Sequence, residues 1–174
     1  VVIDNYTGQN ISALTIAGIK LTLDIDNEDT DISLTTANLG DLNNINAIQV
    51  AENTSVAMTS ELGATLASKF VSENNTFGEL KFSEYSDQDL APISHNFVVN
   101  VTSTAAGAVT LDPAKLNDVD KLSISASTNA SLKTDADASD FTSLTDAGSL
   151  AVQSNGTLAL SQASECSCEP RTQA

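Results

Sequence analysis

The chain alternates apolar and polar residues in short bursts, and its dominant period is two. Leu14 and Ile16 flank Thr15. After Ala17–Gly18, the residues Ile19, Leu21, Leu23 and Ile25 alternate with Lys20, Thr22 and Asp24. This predicts a half-buried strand carrying a bulge at Ala17–Gly18. The same alternation recurs at Ile32/Leu34, Ile48/Val50, Val56/Met58, Phe97/Val99/Val101 and Leu122/Ile124/Ala126, separated by turn-forming Asn, Asp, Gly and Ser. Many short strands with polar turns predict an all-β, single β-sandwich or jelly-roll-like domain with one to three short helices. No internal repeat is evident.

Three segments carry helical spacing. Leu62, Leu66 and Phe70 follow Ser60 as N-cap, Asp112-Pro113 reads as a cap and first helical residue, and Phe141, Leu144 and Ala147 stop at Gly148. A hairpin is predicted over 150–160. The loop Ser154-Asn155-Gly156 would pair Val152 with Leu158 and Leu150 with Leu160, putting all four on one face. The expected organisation is an N-terminal segment over 1–10, a sandwich over 11–161 and a C-terminal tail over 162–174. The start at Val1 without Met is the expectation for a chain from which a signal peptide has been removed.

Composition changes this picture in two ways. Twenty-three acidic residues against seven basic give a net charge of −16, which disfavours nucleic acid and anionic lipid as partners. No apolar run is long enough for a membrane helix. With five Phe, two Tyr and no Trp, the core must be aliphatic, and an aromatic-lined sugar cleft is disfavoured.

The sequence is dense in Asn-X-Ser/Thr sequons: Asn5, Asn10, Asn53, Asn74, Asn100, Asn129 and Asn155. Fifteen Asn and 40 Ser or Thr in 174 residues would give roughly three or four by chance, so seven is an excess, and no middle residue is Pro. Strand phase places Asn100 and Asn129 on outer faces, Asn53 out of phase with the core and Asn155 at a hairpin tip. The expectation is a secreted chain carrying covalent N-glycans.

Other candidate chemistry is thin. Asp24, Asp26, Glu28, Asp29 and Asp31 place five carboxylates within eight residues at a strand end. Oxygen ligands at alternate positions suit Ca²⁺, although the EF-hand glycine is missing; the plain alternative is a solvated acidic turn. Asp135, Asp137, Ser139 and Asp146 form a second, weaker match. Cys166 and Cys168 are the only cysteines, so the alternatives are a tight local disulfide, cross-links between subunits or a free pair. His95, the only histidine, has the inward phase of the strand at Phe97. With no nucleophile elbow and no phosphate loop, an enzyme is not expected and no cofactor is required.

In character, this sequon-dense, acidic, aromatic-poor and strand-rich chain resembles secreted archaeal filament, bundling-pilus or sheath subunits and TasA-type biofilm fibres. That resemblance implies an extracellular or cell-surface structural protein, polymerising with copies of itself by β-strand addition. Val1, Val2 and Ile3 are then the candidate assembly strand, with the alternative that they form the first strand of their own domain. The second functional expectation is a calcium-dependent adhesin or carbohydrate-binding module.

Overall fold

The computed structural model describes residues 1–26, 31–72, 78–93, 96–103, 107–116, 119–124, 128–132, 151–154 and 157–159. Strands β1 (Val2–Ile3), β2 (Leu21–Ile25), β4 (Ile45–Val50) and β6 (Phe70–Ser72) form the first sheet, in that spatial order. The second sheet runs β12 (Ala151–Ser154), β10 (Lys121–Ile124), β8 (Phe97–Ser103), β7 (Gly78–Ser83), β5 (Ser55–Thr59), β3 (Asp31–Ser33). A third holds β13 (Thr157–Ala159), β11 (Thr128–Leu132) and β9 (Gly107–Leu111).

Every one of these ladders is parallel. This overturns the expected all-β sandwich or jelly roll, whose sheets would be antiparallel, in favour of an α/β-like arrangement. From β2 to β7 successive strands alternate between the first and second sheets, and from β8 to β13 between the second and third. Each strand therefore pairs with its counterpart one turn of the winding later. Short helices fill the connections back to the first sheet: α1 (Ser12–Ile16) before β2, α2 (Thr36–Leu39) before β4 and α3 (Ser60–Leu66) before β6. The result is an alternation of strand and helix, wound in coils. A parallel pair needs a crossover, and these helix-bearing connections supply it.

The winding is a repeat that the sequence hides. Ile32 pairs with Val56 and Val56 with Leu80, an interval of 24 residues each time, but Leu80 pairs with Val99 and Val101 with Leu122, intervals of 19 and 21. What recurs is only a buried apolar position at an uneven interval. Inward residues of both main sheets, among them Leu23, Ile48, Val56, Leu80, Phe82 and Val99, merge into one core cluster. Gly78 packs against it so closely that a Cβ there would lie 2.7 Å from Val50 Cγ1.

Local expectations fare unevenly. The alternating phases of β2, β3, β5 and β8 are as expected, with burial at Leu21, Leu23, Ile25, Ile32, Val56, Met58, Phe97, Val99 and Val101. The strand expected at Leu14–Ile16 is instead helix α1, and the bulge falls between Leu21 and Thr22. In α3 the cap is Thr59, whose hydroxyl accepts from Leu62 N, so the helix starts one residue earlier than expected, and Phe70 opens β6. Asp112 does cap a short turn, a 3-10 helix over Pro113–Lys115, accepting from Ala114 N. Among the described residues of 150–160 the hairpin does not form: β12 pairs with β10 and β13 with β11, on different sheets. The helix expected at Phe141–Ala147 lies outside the described residues.

Candidate functional site

Two surfaces stand out, and each follows from how the coils stack. The first is the outer face of the second sheet. Alternation sends Leu80 and Phe82 inward and Glu79, Lys81 and Ser83 outward on β7. The parallel register aligns Lys81 with Ala57 on one side and Asn100 on the other, with Asp31 and Ser55 level with Glu79. Lys81 Nζ lies 2.9 Å from Asp31 Oδ1 and 3.2 Å from Glu79 Oε2. Asn100 Nδ2 donates to Glu79 Oε1 at 2.5 Å. The bond from Lys81 holds the Asp31 carboxyl below the usual carboxylate range, and Asp31 in turn raises Lys81. Beside this network is a shallow depression of about 340 Å³, lined by Ala57, Ser83, Asn100, Thr102 and Ser123 among others. Its walls offer hydroxyls, one amide and the paired charges of Glu79 and Lys81, together with the apolar residues Met58, Phe82 and Val101.

The second surface is the end of the winding where the chain begins. Residues 4–11 pass over the end of the core, burying Tyr6 and Ile11, and Asn38 Nδ2 donates to Gly8 O at 3.0 Å. Helix α1 then stacks on the next connection. Thr15, fully buried, donates through Oγ1 to Leu39 O at 2.5 Å and accepts from Asp41 N at 3.1 Å, and Asn44 Nδ2 donates to Thr15 O. Strand β1 closes this end of the first sheet, held by Thr22 N donating to Val1 O and by the Val1 ammonium donating to Lys20 O. The outside of this cap is apolar: Val1 and Ile16 are 74% and 73% exposed, Val2 54%, Leu14 39% and Ile19 36%. Backbone bonds bring Leu14 beside Ile19 and Val1 beside Lys20 and Thr22, while Ile16 projects from the other side of α1 across the buried Thr15.

The sequence candidates distribute around these surfaces as follows. Val2 and Ile3 are seated on their own first sheet as its edge strand. Asn5, Asn10 and Asn53 are exposed, whereas Asn100 points outward as expected but is half-buried. Asn129 lies on β11; Asn74 and Asn155 lie outside the described residues. Of the acidic run, Asp24 sits on β2 in the first sheet and Asp31 on β3 in the second, Asp26 is exposed, and Glu28 and Asp29 lie outside the described residues. Asp31 is already paired with Lys81. Among the described residues no group of three or more acidic, His or Cys side chains converges as a metal site. The second acidic cluster, His95, Cys166 and Cys168 lie outside the described residues. No described helix is long and apolar enough to cross a membrane.

As units, the Lys81 network and the apolar cap are missing from the sequence-level candidates, although Asp31 and Asn100 of the first and Val1 and Val2 of the second are among them. The first was signalled by the strict alternation Glu79-Leu80-Lys81-Phe82-Ser83. The second was masked, because Leu14 and Ile16 at a spacing of two match a strand's inward phase, whereas on α1 they flank the buried Thr15 on either side. Comparison of the chain with protein-family models, curated proteins and solved structures gives no match.

Proposed function

We propose that this chain is a structural subunit of an extracellular filament, pilus or sheath that polymerises with copies of itself by β-strand addition. The observation that carries this reading is the apolar cap. Solenoid-like windings end in caps with polar outer faces when they are to stay single. Here the end presents Val1, Val2, Leu14, Ile16 and Ile19 to solvent beside the open edge of β1. An edge strand's unpaired N–H and C=O groups template another strand. The strand that continues a parallel sheet with this twist is one from a second copy of the chain, which repeats the same geometry. Such a contact joins two different surfaces and propagates rather than closing. The strand at Val2–Ile3 thus serves as acceptor edge while remaining on its own sheet. The sequon density and the acidic surface support a location outside the cell.

Electron microscopy and sedimentation of material from the producing cells test this. Filaments or sheets are expected, dispersed by Ile16→Glu, which sits on the exposed side of α1 and leaves the core intact. A protein that stays monomeric at high concentration overturns the reading.

The depression on the second sheet favours a second reading, a carbohydrate-binding module. Its hydroxyl and amide lining matches a hydroxyl-rich ligand, and calorimetry with neutral oligosaccharides, with and without Ca²⁺, tests it. No heat in either series removes it.

A further inference from the structure

Seven sequons are equivalent as motifs, but the fold treats the described ones differently. Transfer of a glycan to Asn requires a transferase to enclose the carboxamide and the hydroxyl two residues on. The amide nitrogen then attacks the anomeric carbon of a phosphate-linked glycosyl donor. The new N–C bond forms as the C–O bond to phosphate breaks with its electron pair, and the departing Nδ2 proton passes to a base of the transferase. Access to Nδ2 and to that hydroxyl therefore decides which site reacts once the chain has folded.

Asn5 and Asn53 stand in exposed turns with φ of +55° and +61°, a left-handed conformation that Asn tolerates, but they differ in the second half of the sequon: Thr7 is exposed, whereas the Ser55 hydroxyl two residues after Asn53 is buried at the start of β5. Asn10 is exposed just ahead of α1. Its Oδ1 accepts from Ser12 N at 3.0 Å and from Ser12 Oγ at 2.7 Å, so the sequon's own hydroxyl is drawn against the carboxamide. This leaves Nδ2 with no partner among the described residues. Asn100 is the opposite case. It lies within β8, with β7 paired on one side and β10 on the other, so neither edge of its backbone is open. Its side chain is half-buried at the depression, and its Nδ2 is committed to Glu79 at 2.5 Å.

We propose that Asn5 and Asn10 are glycan acceptors of the folded protein and that Asn53 and Asn100 are silent sequons, Asn53 because its Ser55 hydroxyl is buried and Asn100 because its amide serves the Glu79–Lys81 network. The inference rests on the extracellular reading above. It keeps sugar off the second-sheet face around Asn100 and puts the glycans at Asn5 and Asn10, at the same end of the winding as β1, so the strand-addition contact has to form beside them.

Peptide mapping of protein recovered from its own cells decides the matter. Cleavage after lysine gives residues 1–20, 21–69 and 82–115, of which 21–69 carries Asn53 alone and 82–115 carries Asn100 alone. The expected result is two glycans on 1–20 and the bare masses for 21–69 and 82–115. In Asn5→Gln and Asn10→Gln variants, 1–20 should keep one glycan each. A glycan on 21–69 or on 82–115, or a bare 1–20, overturns the proposal. Imaging the same preparation separates this from the assembly reading. Filaments with sugar at Asn100 sink only the acceptor assignment, whereas monomers with the expected map sink only the filament.

Discussion

At the scale of single residues, the connection knot around Thr15 shows how one hydroxyl fixes the stacking of two turns of the winding. Thr15 is fully buried and satisfies Leu39 O and Asp41 N. Thr15→Val preserves shape but strands both groups, and should cost about 1–3 kcal/mol in urea unfolding. Gly40 makes the knot fit: its φ is +72°, and a Cβ there would lie 2.5 Å from Thr15 Oγ1 and 2.8 Å from Ser12 Cα. Tyr85 is the converse case. It is fully buried, its backbone N bonds Thr102 O, and its hydroxyl has no hydrogen-bond partner among the described residues. Removing that hydroxyl in Tyr85→Phe should therefore be neutral or stabilising by about 1 kcal/mol. Burial first, then Asp87, Asp112 and Asp89, pushes the Tyr85 hydroxyl above its ordinary range. The folded state thus holds this proton more tightly than the unfolded state. Stability should fall as pH rises beyond about 10, the unfolded value, and Tyr85→Phe should shrink that alkaline loss. For Asp31 the sign is reversed: its lowered value means that the contribution of the Lys81 pair is present above about pH 4 and fades as pH falls through the folded value. Denaturant midpoints of wild type and Lys81→Met should accordingly differ at pH 7 and converge near pH 2.

At the scale of elements, β7 is the strand on which both sides of the second sheet depend. Leu80 stacks between Val56 and Val99, and Phe82 between Met58 and Val101. Leu80→Ala should cost about 2–5 kcal/mol. Val98→Ala, at an outward position on neighbouring β8 that is 39% exposed, should stay within about 0.5 kcal/mol. Equal losses would contradict the strand phases. Helix α3 packs onto the same strand without room to spare: a Cβ on Gly63 would lie 2.3 Å from Phe82 Cε1. Gly63→Ala should cost about 1–3 kcal/mol by overpacking, despite the better helix propensity of alanine. The phases of β2, β3, β5 and β8 were legible because burial on one face imposes a period of two. The hairpin at 150–160 was not, because the apolar positions that suit an antiparallel pairing of Val152 with Leu158 equally suit stacking each strand on an earlier turn. Only the long-range partners, Leu122 for Val152 and Ala130 for Leu158, separate the two.

At the scale of the whole molecule, the parallel winding defines an end, and the proposed assembly follows from it. Ile16→Glu and Val2→Asp should each abolish polymer growth while leaving the unfolding midpoint of the monomer within experimental reach of wild type. The measurement is light scattering during assembly, paired with urea unfolding. Loss of both together would mean that the cap holds the core and not a neighbour. The sequence by itself determined the inward and outward faces of most strands, the aliphatic core, the acidic surface and the sequons. These are local properties, fixed by side-chain chemistry and a two-residue period. It could not determine which strand lies beside which. Alternation ordinarily marks antiparallel sheets with one wet face, since parallel sheets are mostly covered on both. Here parallel sheets face one another across a single core and keep their outer faces in water, so the local pattern is the same and the topology differs. Strand partners, the uneven repeat, the Lys81 network and the apolar cap all depend on contacts about 20 residues or more apart. Those contacts come into being only when the coils stack.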